Sequence, residues 1–317
     1  MPHAAPPRST RVPPAWVLGA SLLGISFAGP LVRLSSADPV AIAAGRLAFA
    51  LVAIAVMLVI TGEWRQWRTL AGTDWLLALG AGVILALHFW AWNASIHLTT
   101  IAASTTLVTS LQPGFVALLS VFIVHEAPSR RQMMGLALAM IGAAIITGPD
   151  IFSAGPAAPN SAQRPLLGNL LSIGAGAAAA LYMTLGRRLR AELGAWSYVG
   201  IVYSAALVAL LLIGGASGIR IVPQPPRELL IFLGLAVGPM LVGHTGMNWA
   251  LEHLPAYIVN LTVLGEPIGA TLLGAIIPGI HEIPRWTTFV GGAVVLAGVV
   301  VTAWTRRPVV QSIIETA

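Results

Sequence analysis

Ionisable side chains inside apolar stretches are the feature of this sequence best suited to chemistry. Glu266 lies in NLTVLGEPIGATLL, residues 260–273, and Arg46 lies in DPVAIAAGRLAFA, residues 38–50. In a membrane span such groups are costly and commonly mark a substrate or ion pathway. Glu266 could exchange a proton or bind an amine. Arg46 could hold a substrate carboxylate or pair with Glu266.

Both side chains also have a purely structural interpretation. Glu266 could be neutral and hydrogen-bond a neighbouring helix, and Arg46 could extend along the span to the outer interface. The sequence leaves these alternatives open. Arg33, which lies nearer the end of an apolar run, is expected to extend to the interface.

Two prolines sit at corresponding places in two apolar runs. Pro267 follows Glu266, and Pro113 follows Gln112. Proline has no amide hydrogen, so the carbonyl four residues earlier loses its partner and the helix can kink. We predict helix breaks at both prolines. The freed carbonyls could bind substrate, or the kinks could only shape packing while nearby hydroxyls satisfy the backbone.

A second polar set lies in two other runs. His244, Asn248 and Glu252 are spaced by four residues, which would form one stripe on an α-helix. His88 and Trp92 lie at the equivalent depth of an earlier run. A histidine there could relay protons or contact a ligand, although a packing role is common. Trp92 could line an apolar cavity, or pack against other helices or lipid.

Metal and cofactor chemistry is not expected. The pairs His125-Glu126 and His281-Glu282 lack the H-E-x-x-H spacing that places two histidines on one helix face. They are interpreted as caps at span ends. The chain has no cysteine and no lysine, which excludes cysteine ligands and a Walker lysine. We therefore predict no catalytic residue, no metal site and no cofactor.

The composition defines the elements that must position these groups. Of 317 residues, 57% are hydrophobic and 9% are charged, with a mean hydropathy of +0.85. Such a chain is typical of an integral membrane protein. Ten apolar runs are each long enough to span a bilayer as a helix. They cover about residues 15–34, 39–61, 73–94, 99–124, 130–148, 166–186, 194–214, 228–251, 256–279 and 286–304.

Arginine placement predicts the orientation of the chain. All seventeen basic residues are arginine, scattered between apolar runs rather than gathered in one domain, which favours membrane topology over nucleic-acid binding. Eleven of them fall in alternate connections and tails. Both termini are therefore expected in the cytoplasm, with the protein in the cell inner (plasma) membrane as a multi-pass protein.

An internal repeat divides the chain. His88 and His244, like His97 and His253, are separated by 156 residues, and so are His125 and His281. Five spans per half would place the second half upside down relative to the first. We predict an all-α integral membrane fold of ten transmembrane helices in two inverted five-helix repeats. The expected parts are a cytoplasmic tail at 1–14, repeats at 15–148 and 166–304, an extracytoplasmic linker at 149–165 and a cytoplasmic tail at 305–317.

These features resemble the EamA-type drug/metabolite transporter superfamily. The resemblance rests on the stretch around Arg46, on LVTSLQPGFVALLSVFIVHEAPSRRQMMGLALAMIGAAIITG, and on its echo LTVLGEPIGATLLGAIIPGIHEIPRWTTFVGGAVVLAGVVV. It implies a bacterial inner-membrane carrier that exports amino acids or other small metabolites by alternating access. One departure is that the interval from Pro267 to Glu282 is longer than its counterpart and contains Pro278-Gly279, which disfavours a regular helix there.

Three function classes follow from these observations. We predict a secondary transporter for a small metabolite, with proton coupling as one possible energy source. The alternatives are a membrane-embedded enzyme acting on a lipid-linked substrate and a non-transporting structural subunit. The expected partners are the metabolite and the lipid bilayer, with a homodimer left open and no nucleic acid.

Overall fold

The computed structural model describes residues 13–123, 129–152, 164–250, 262–263 and 265–303, and these residues are helical apart from short connections. A membrane span has no water to satisfy its backbone, so an apolar chain of this kind must form its hydrogen bonds within helices. The α-helices are α1 Pro14–Ser26, α2 Ala28–Leu34, α3 Pro39–Thr61, α4 Gly72–Leu98, α5 Ile101–Ile123, α6 Arg130–Phe152, α7 Pro165–Glu192, α8 Ala195–Ala216, α9 Pro226–Leu235, α10 Gly246–Ala250, α11 Glu266–Ile276 and α12 Trp286–Ala303.

Six helical segments of the described chain are long and apolar enough to cross a membrane, and three apolar helices are shorter. The six segments are Pro14–Leu34, Pro39–Thr61, Gly72–Leu98, Pro165–Gly186, Ala195–Ala216 and Pro226–Thr245. The all-helical membrane class is therefore confirmed. The count of ten spans and the division into inverted repeats stay predictions.

The sequence predicts a single helix in the first apolar run, but the structure has two. α1 ends at Ser26 and α2 begins at Ala28, with Phe27 between them. Pro30 cannot donate to the carbonyl of Ser26, and the Ser26 hydroxyl donates to the carbonyl of Leu22 at 2.7 Å. Both effects weaken the helix at this point. α2 is consequently a short helix joined to α1 at a break.

The run at 228–251 is also interrupted. Between α9 and α10 the chain forms a π-helix, Ala236–Thr245, with Pro239 inside it. Pro239 removes the bond to the carbonyl of Leu235, and a wider turn accommodates the proline ring. The predicted stripe from His244 to Asn248 assumed a continuous α-helix. It does not hold at His244, which belongs to the π-helix.

The two predicted proline breaks have different outcomes. α5 runs through Pro113, so the predicted break there is wrong in the sense that the helix does not end. A single lost hydrogen bond does not stop a helix whose backbone has no alternative partner in a membrane. Pro267 instead lies in the first turn of α11, where its missing amide hydrogen costs nothing. α11 ends at Ile276, just before Pro278-Gly279, which confirms the expected irregularity at that place.

Glycines allow helices to cross at backbone distance. A methyl group on Gly142 of α6 would lie 2.6 Å from the carbonyl oxygen of Gly291 on α12, and a methyl group on Gly291 would lie 2.6 Å from the carbonyl oxygen of Gly142. At the next crossing, a methyl group on Gly298 would lie 2.5 Å from the carbonyl oxygen of Gly135. Small residues at crossings are typical of helix packing in membranes. Gly135 and Gly291, like Gly142 and Gly298, are mates in the predicted repeat.

Buried hydroxyls join the helices that surround the centre. Ser95 of α4 lies 2.6 Å from Ser104 of α5, and Ser172 of α7 donates to both, at 3.0 and 2.8 Å. Nearby, Thr99 donates to Asn169 of α7 at 2.7 Å. These bonds replace water for groups that are fully buried. They hold α4, α5 and α7 in a defined mutual position.

Candidate functional site

Arg46 lies in the middle of α3 and is 1% exposed. Gly45 lets the ring of Phe232 on α9 pack directly against α3 beside it. The guanidinium lies over the Phe89 ring of α4, with its central carbon 4.4 Å from the ring centroid. Its Nε and Nη1 atoms are buried and have no hydrogen-bond partner among the described residues. Arg46 therefore does not extend to an interface, and two of its donor nitrogens remain available.

Glu266 is the first residue of α11 and faces the same region. Its carboxylate interacts electrostatically with Arg46 and is hydrogen-bonded by the Thr109 side chain of α5. The N-terminus of an α-helix favours a negative charge. No described carboxylate forms an ion pair with Arg46. The two opposite charges are thus near one another but not in direct contact.

Two histidines complete this group. The Nδ1 atom of His88 on α4 lies 2.8 Å from the carbonyl oxygen of Ala175 on α7. His244, at the end of the π-helix, interacts electrostatically with both His88 and Arg46, and its side chain is exposed. The 156-residue repeat offset relates the two histidines, and the fold brings them together around the buried arginine.

Three contributors to this site were not identified from the sequence. Tyr203 of α8 is buried and close to Arg46, with Tyr182 of α7 beside it. Thr109 is the third. A usable signal existed for Thr109, because it is the residue whose carbonyl Pro113 leaves unpaired. The tyrosines offered a weaker signal, as two of only four in the chain. We name the set of Arg46, His88, Thr109, Tyr203, His244 and Glu266 the central site.

Other predicted residues lie apart from these contacts. Gln112 donates to the sulfur of Met183 on α7. Trp92 is 4% exposed within an apolar cluster formed largely by α2, α4 and α9, and its indole nitrogen has no partner in the described part of the chain. α10 contains Asn248, but the side chain of Asn248 lies outside the described residues, as do His125-Glu126 and Glu252. Their predicted roles stay predictions.

A second polar group lies at one end of the helices, which we name the Arg33 end. Arg33 of α2 forms an ion pair with Glu282, with Nη2 3.1 Å from Oε2, and donates a hydrogen bond to the carbonyl of Thr99. The expectation that Arg33 extends to the interface stays a prediction, and the structure adds that its guanidinium is paired with Glu282. An acidic partner was available at the neighbouring helix end, and the pair satisfies both charges.

Glu282, in the connection between α11 and α12, also caps α5. The backbone N–H of Ile101, the first residue of α5, donates to Glu282 Oε1 at 2.5 Å, and the Glu282 N–H donates to the carbonyl of Gly274 at 3.0 Å. Burial raises the pKa of the Glu282 carboxyl, and the Arg33 charge and the N–H groups of Ile101 and Ala102 offset part of that rise. The capping role that the sequence suggested for Glu282 is confirmed, but across helices rather than within one.

At the opposite end, the connection after α3 docks on α8. A 3₁₀ segment, Glu63–Thr69, places a Glu63 carboxylate oxygen 3.0 Å from the backbone nitrogen of Ser197 and a Gln66 oxygen 2.8 Å from that of Gly194. These two backbone N–H groups lie at the start of α8, where the helix itself offers them no acceptor, so the side-chain oxygens satisfy them. Acidic side chains thus cap helices of the other half at both ends.

Within the described ranges, no group of three or more His, Asp or Glu side chains has the arrangement needed to hold a metal ion. The central site instead combines one buried cation, one carboxylate, two imidazoles and hydroxyl groups. Such a set can bind a small polar molecule and exchange a proton with it.

Two known proteins and one protein family are similar to this chain. A crystal structure of a protein 17% identical in sequence superposes with a TM-score of 0.63, covering 93% of this chain and 99% of the other, which shows a shared fold. An uncharacterized transporter of Archaeoglobus fulgidus is 24% identical over 298 residues, covering 91% of this chain and 97% of that protein. The model of the EamA-like transporter family matches residues 14–148 and again residues 166–304. With two matches that together cover most of its length, this multi-pass membrane protein belongs to the EamA-like transporter family.

Proposed function

We propose that this protein is a secondary transporter that exports amino acids or similar small metabolites through the central site by alternating access. The observation that carries the proposal is Arg46, a buried guanidinium with two donor nitrogens that have no partner among the described residues, and with a carboxylate nearby but not in contact. Family membership supports transport in general. The substrate class rests on the chemistry of this site.

The arrangement supports binding of a small polar molecule. A buried charge without a direct partner costs free energy, so a site of this kind is retained where a ligand supplies the partner. A substrate carboxylate fits the planar donor set of Arg46. An ammonium group on the same substrate fits Glu266. The ring of Phe89 and the buried Tyr203 offer apolar surface between these polar groups.

Glu266 is also the proposed site of proton coupling. Its carboxylate accepts a hydrogen bond from Thr109 and lies near His244, through the shared neighbour Arg46. A carboxylate in this position can exchange a proton when one face of the site opens to water. The chain is proposed to lie in the inner membrane with both termini in the cytoplasm, which the arginine asymmetry supports. A homodimer stays a prediction.

The test is flux in proteoliposomes under an imposed pH gradient, with a panel of labelled amino acids, their amides and their deaminated acids. Wild-type protein is expected to transport at least one amino acid faster than its amide and its deaminated acid. The Arg46→Gln variant is expected to reduce that flux more than tenfold, because it removes the cation that binds the substrate carboxylate. Arg220→Gln, an exposed arginine between α8 and α9, is the matched control and should leave flux unchanged.

The same assay separates binding from coupling. Glu266→Gln is expected to abolish accumulation driven by the pH gradient while retaining substrate exchange across the membrane. Accumulation by Glu266→Gln equal to wild type would refute coupling through this residue. Absence of flux for every member of the panel would refute the proposed substrate class.

A further inference from the structure

We propose that α2 is a gate helix and that Arg33 and Glu282 are the gating residues that close the Arg33 end of the transport pathway. This inference rests on the proposed transport function, because a gate has a role only if the central site opens alternately to the two sides. Three observations carry it, namely the contacts across the gate, the link from the gate to the central site and the break that precedes α2.

The contacts at the Arg33 end fall on two sides of one boundary. On one side is α2, which contributes the guanidinium of Arg33. On the other side are the carboxylate of Glu282 and the carbonyl of Thr99, both of which Arg33 binds. Charge-assisted bonds of this kind are among the stronger polar contacts in proteins. Separating α2 from these partners requires both to be released together.

The partners of Arg33 form one connected unit. Glu282 binds the first N–H of α5 and the carbonyl of Gly274 in α11, so it joins those two helices at the Arg33 end. Further along α5, Thr109 binds Glu266 at the start of α11. α5 and α11 are therefore held together at both levels. A displacement of this unit from α2 would reach Glu266 in the central site.

The chain has a natural hinge for such a displacement. The helix is broken at Phe27, immediately before α2, because Pro30 and the Ser26 hydroxyl both weaken it. Next to this break, a methyl group on Gly269 of α11 would overlap the Ser26 hydroxyl oxygen. α11 thus packs directly on the hinge. Helix rotations in proteins are commonly absorbed by a few residues at the end of an element.

The two ends of the molecule differ in this respect. At the opposite end, Glu63 and Gln66 bind backbone groups at the start of α8, and the described side chains form no ion pair there. An ion pair can be released by a change of protonation or by water entry. The gate is accordingly assigned to the Arg33 end.

The absence of cysteine from the sequence makes the gate directly testable. Ala102 lies under Glu282 at the start of α5 and is 1% exposed. An Ala102→Cys reporter in purified protein would be treated with a maleimide, and its labelling rate measured in the parent, Arg33→Gln, Glu282→Gln and Arg33→Lys backgrounds. Arg220→Gln, which alters an exposed arginine elsewhere, is the matched control.

The expected result is labelling at least fivefold faster in Arg33→Gln and Glu282→Gln, an intermediate rate in Arg33→Lys, and the parent rate in Arg220→Gln. A second reporter, Ala78→Cys, lies fully buried nearer the other end of α4 and should not become faster. Parent rates at Ala102→Cys in both gate variants would overturn the proposal. Equal acceleration at both reporters would also overturn it, because that pattern indicates general loosening.

The labelling experiment is independent of substrate. If no metabolite gives flux in proteoliposomes but the gate variants label faster, the proposed substrate class fails while the gate stands. If flux is found but labelling does not respond, transport stands and the gate fails.

Discussion

Burying an arginine among apolar helices costs free energy that a bound anion or water must offset. Arg46 lies within α3 over the Phe89 ring, and Tyr203 and Glu266 are its electrostatic neighbours. At the scale of residues, function and stability therefore oppose each other at this position. This opposition gives a prediction that distinguishes a substrate-binding arginine from a structural one.

The Arg46→Gln substitution is expected to leave the ligand-free protein as stable as wild type or more stable, with a melting temperature equal or higher by about 2–4 °C, because it removes an unpaired buried charge. Thermal unfolding in detergent measures this. A large fall in melting temperature would show that Arg46 has a structural partner and would contradict its assignment as a substrate-binding residue.

Thr109 gives a second prediction at this scale. Thr109→Val keeps the shape of the side chain but removes its hydrogen bond to Glu266, which is worth about 1–2 kcal/mol when one partner is charged. We expect transport to fall about five- to tenfold, while Thr109→Ser retains it. Flux in proteoliposomes is the measurement. Loss in Thr109→Ser with retention in Thr109→Val would instead indicate that the methyl group of Thr109 matters and its hydroxyl does not.

At the scale of elements, short helices and breaks occur where the chain must move or turn, and long regular helices form the frame. A proline lies inside each of the irregular elements, namely α2, the π-helix and α11. Each of these elements contributes to the central site or to the proposed gate. The crossing of α6 and α12 shows the opposite design, with glycines packed backbone to backbone. These two kinds of element respond differently to substitution.

Gly142→Ala is expected to destabilise the protein by about 1–3 kcal/mol, because the added methyl group would overlap the carbonyl of Gly291. Gly148→Ala is the matched control on the same helix. Nothing lies near a methyl group at Gly148, so that change should be neutral or slightly stabilising. Thermal unfolding of the two variants compares them directly, and similar melting temperatures would argue against the tight crossing.

At the scale of the whole molecule, the family match falls on two segments of similar length, and helices of both segments supply the central site. Arg46, His88 and Thr109 come from the first segment, and Tyr203, His244 and Glu266 come from the second. Sites between repeats are typical of secondary transporters. The inverted arrangement itself is a prediction with its own test.

Reporter fusions test the orientation of the chain. A reporter that is active only in the cytoplasm, fused after residue 317 or before residue 1, is expected to be active in both cases. A cysteine introduced into the linker at 149–165 should react with an impermeant reagent added to intact cells. Opposite locations for the two termini would exclude an even number of spans, and with it two five-helix repeats.

The sequence by itself determined the helical membrane class and the family, and it singled out Arg46 and Glu266 as candidate site residues, because hydropathy and the cost of buried charge are local properties of the chain. It also showed that Pro278-Gly279 would end a helix. It failed at Phe27 and in the π-helix, because a proline in an apolar run can be absorbed, can widen a turn or can break the helix, and packing decides among these outcomes. That is why α5 continues through Pro113.

Only the tertiary structure decided which groups meet. The fold brings together residues that are between 156 and 249 positions apart in the chain. The pairs are Thr109 with Glu266, His88 with His244, and Arg33 with Glu282. No local pattern encodes such a contact, because it depends on how helices from both halves are packed. The sequence supplied the charged groups, and the packing of the helices determined that Arg33 pairs with Glu282 while two donor nitrogens of Arg46 have no partner among the described residues.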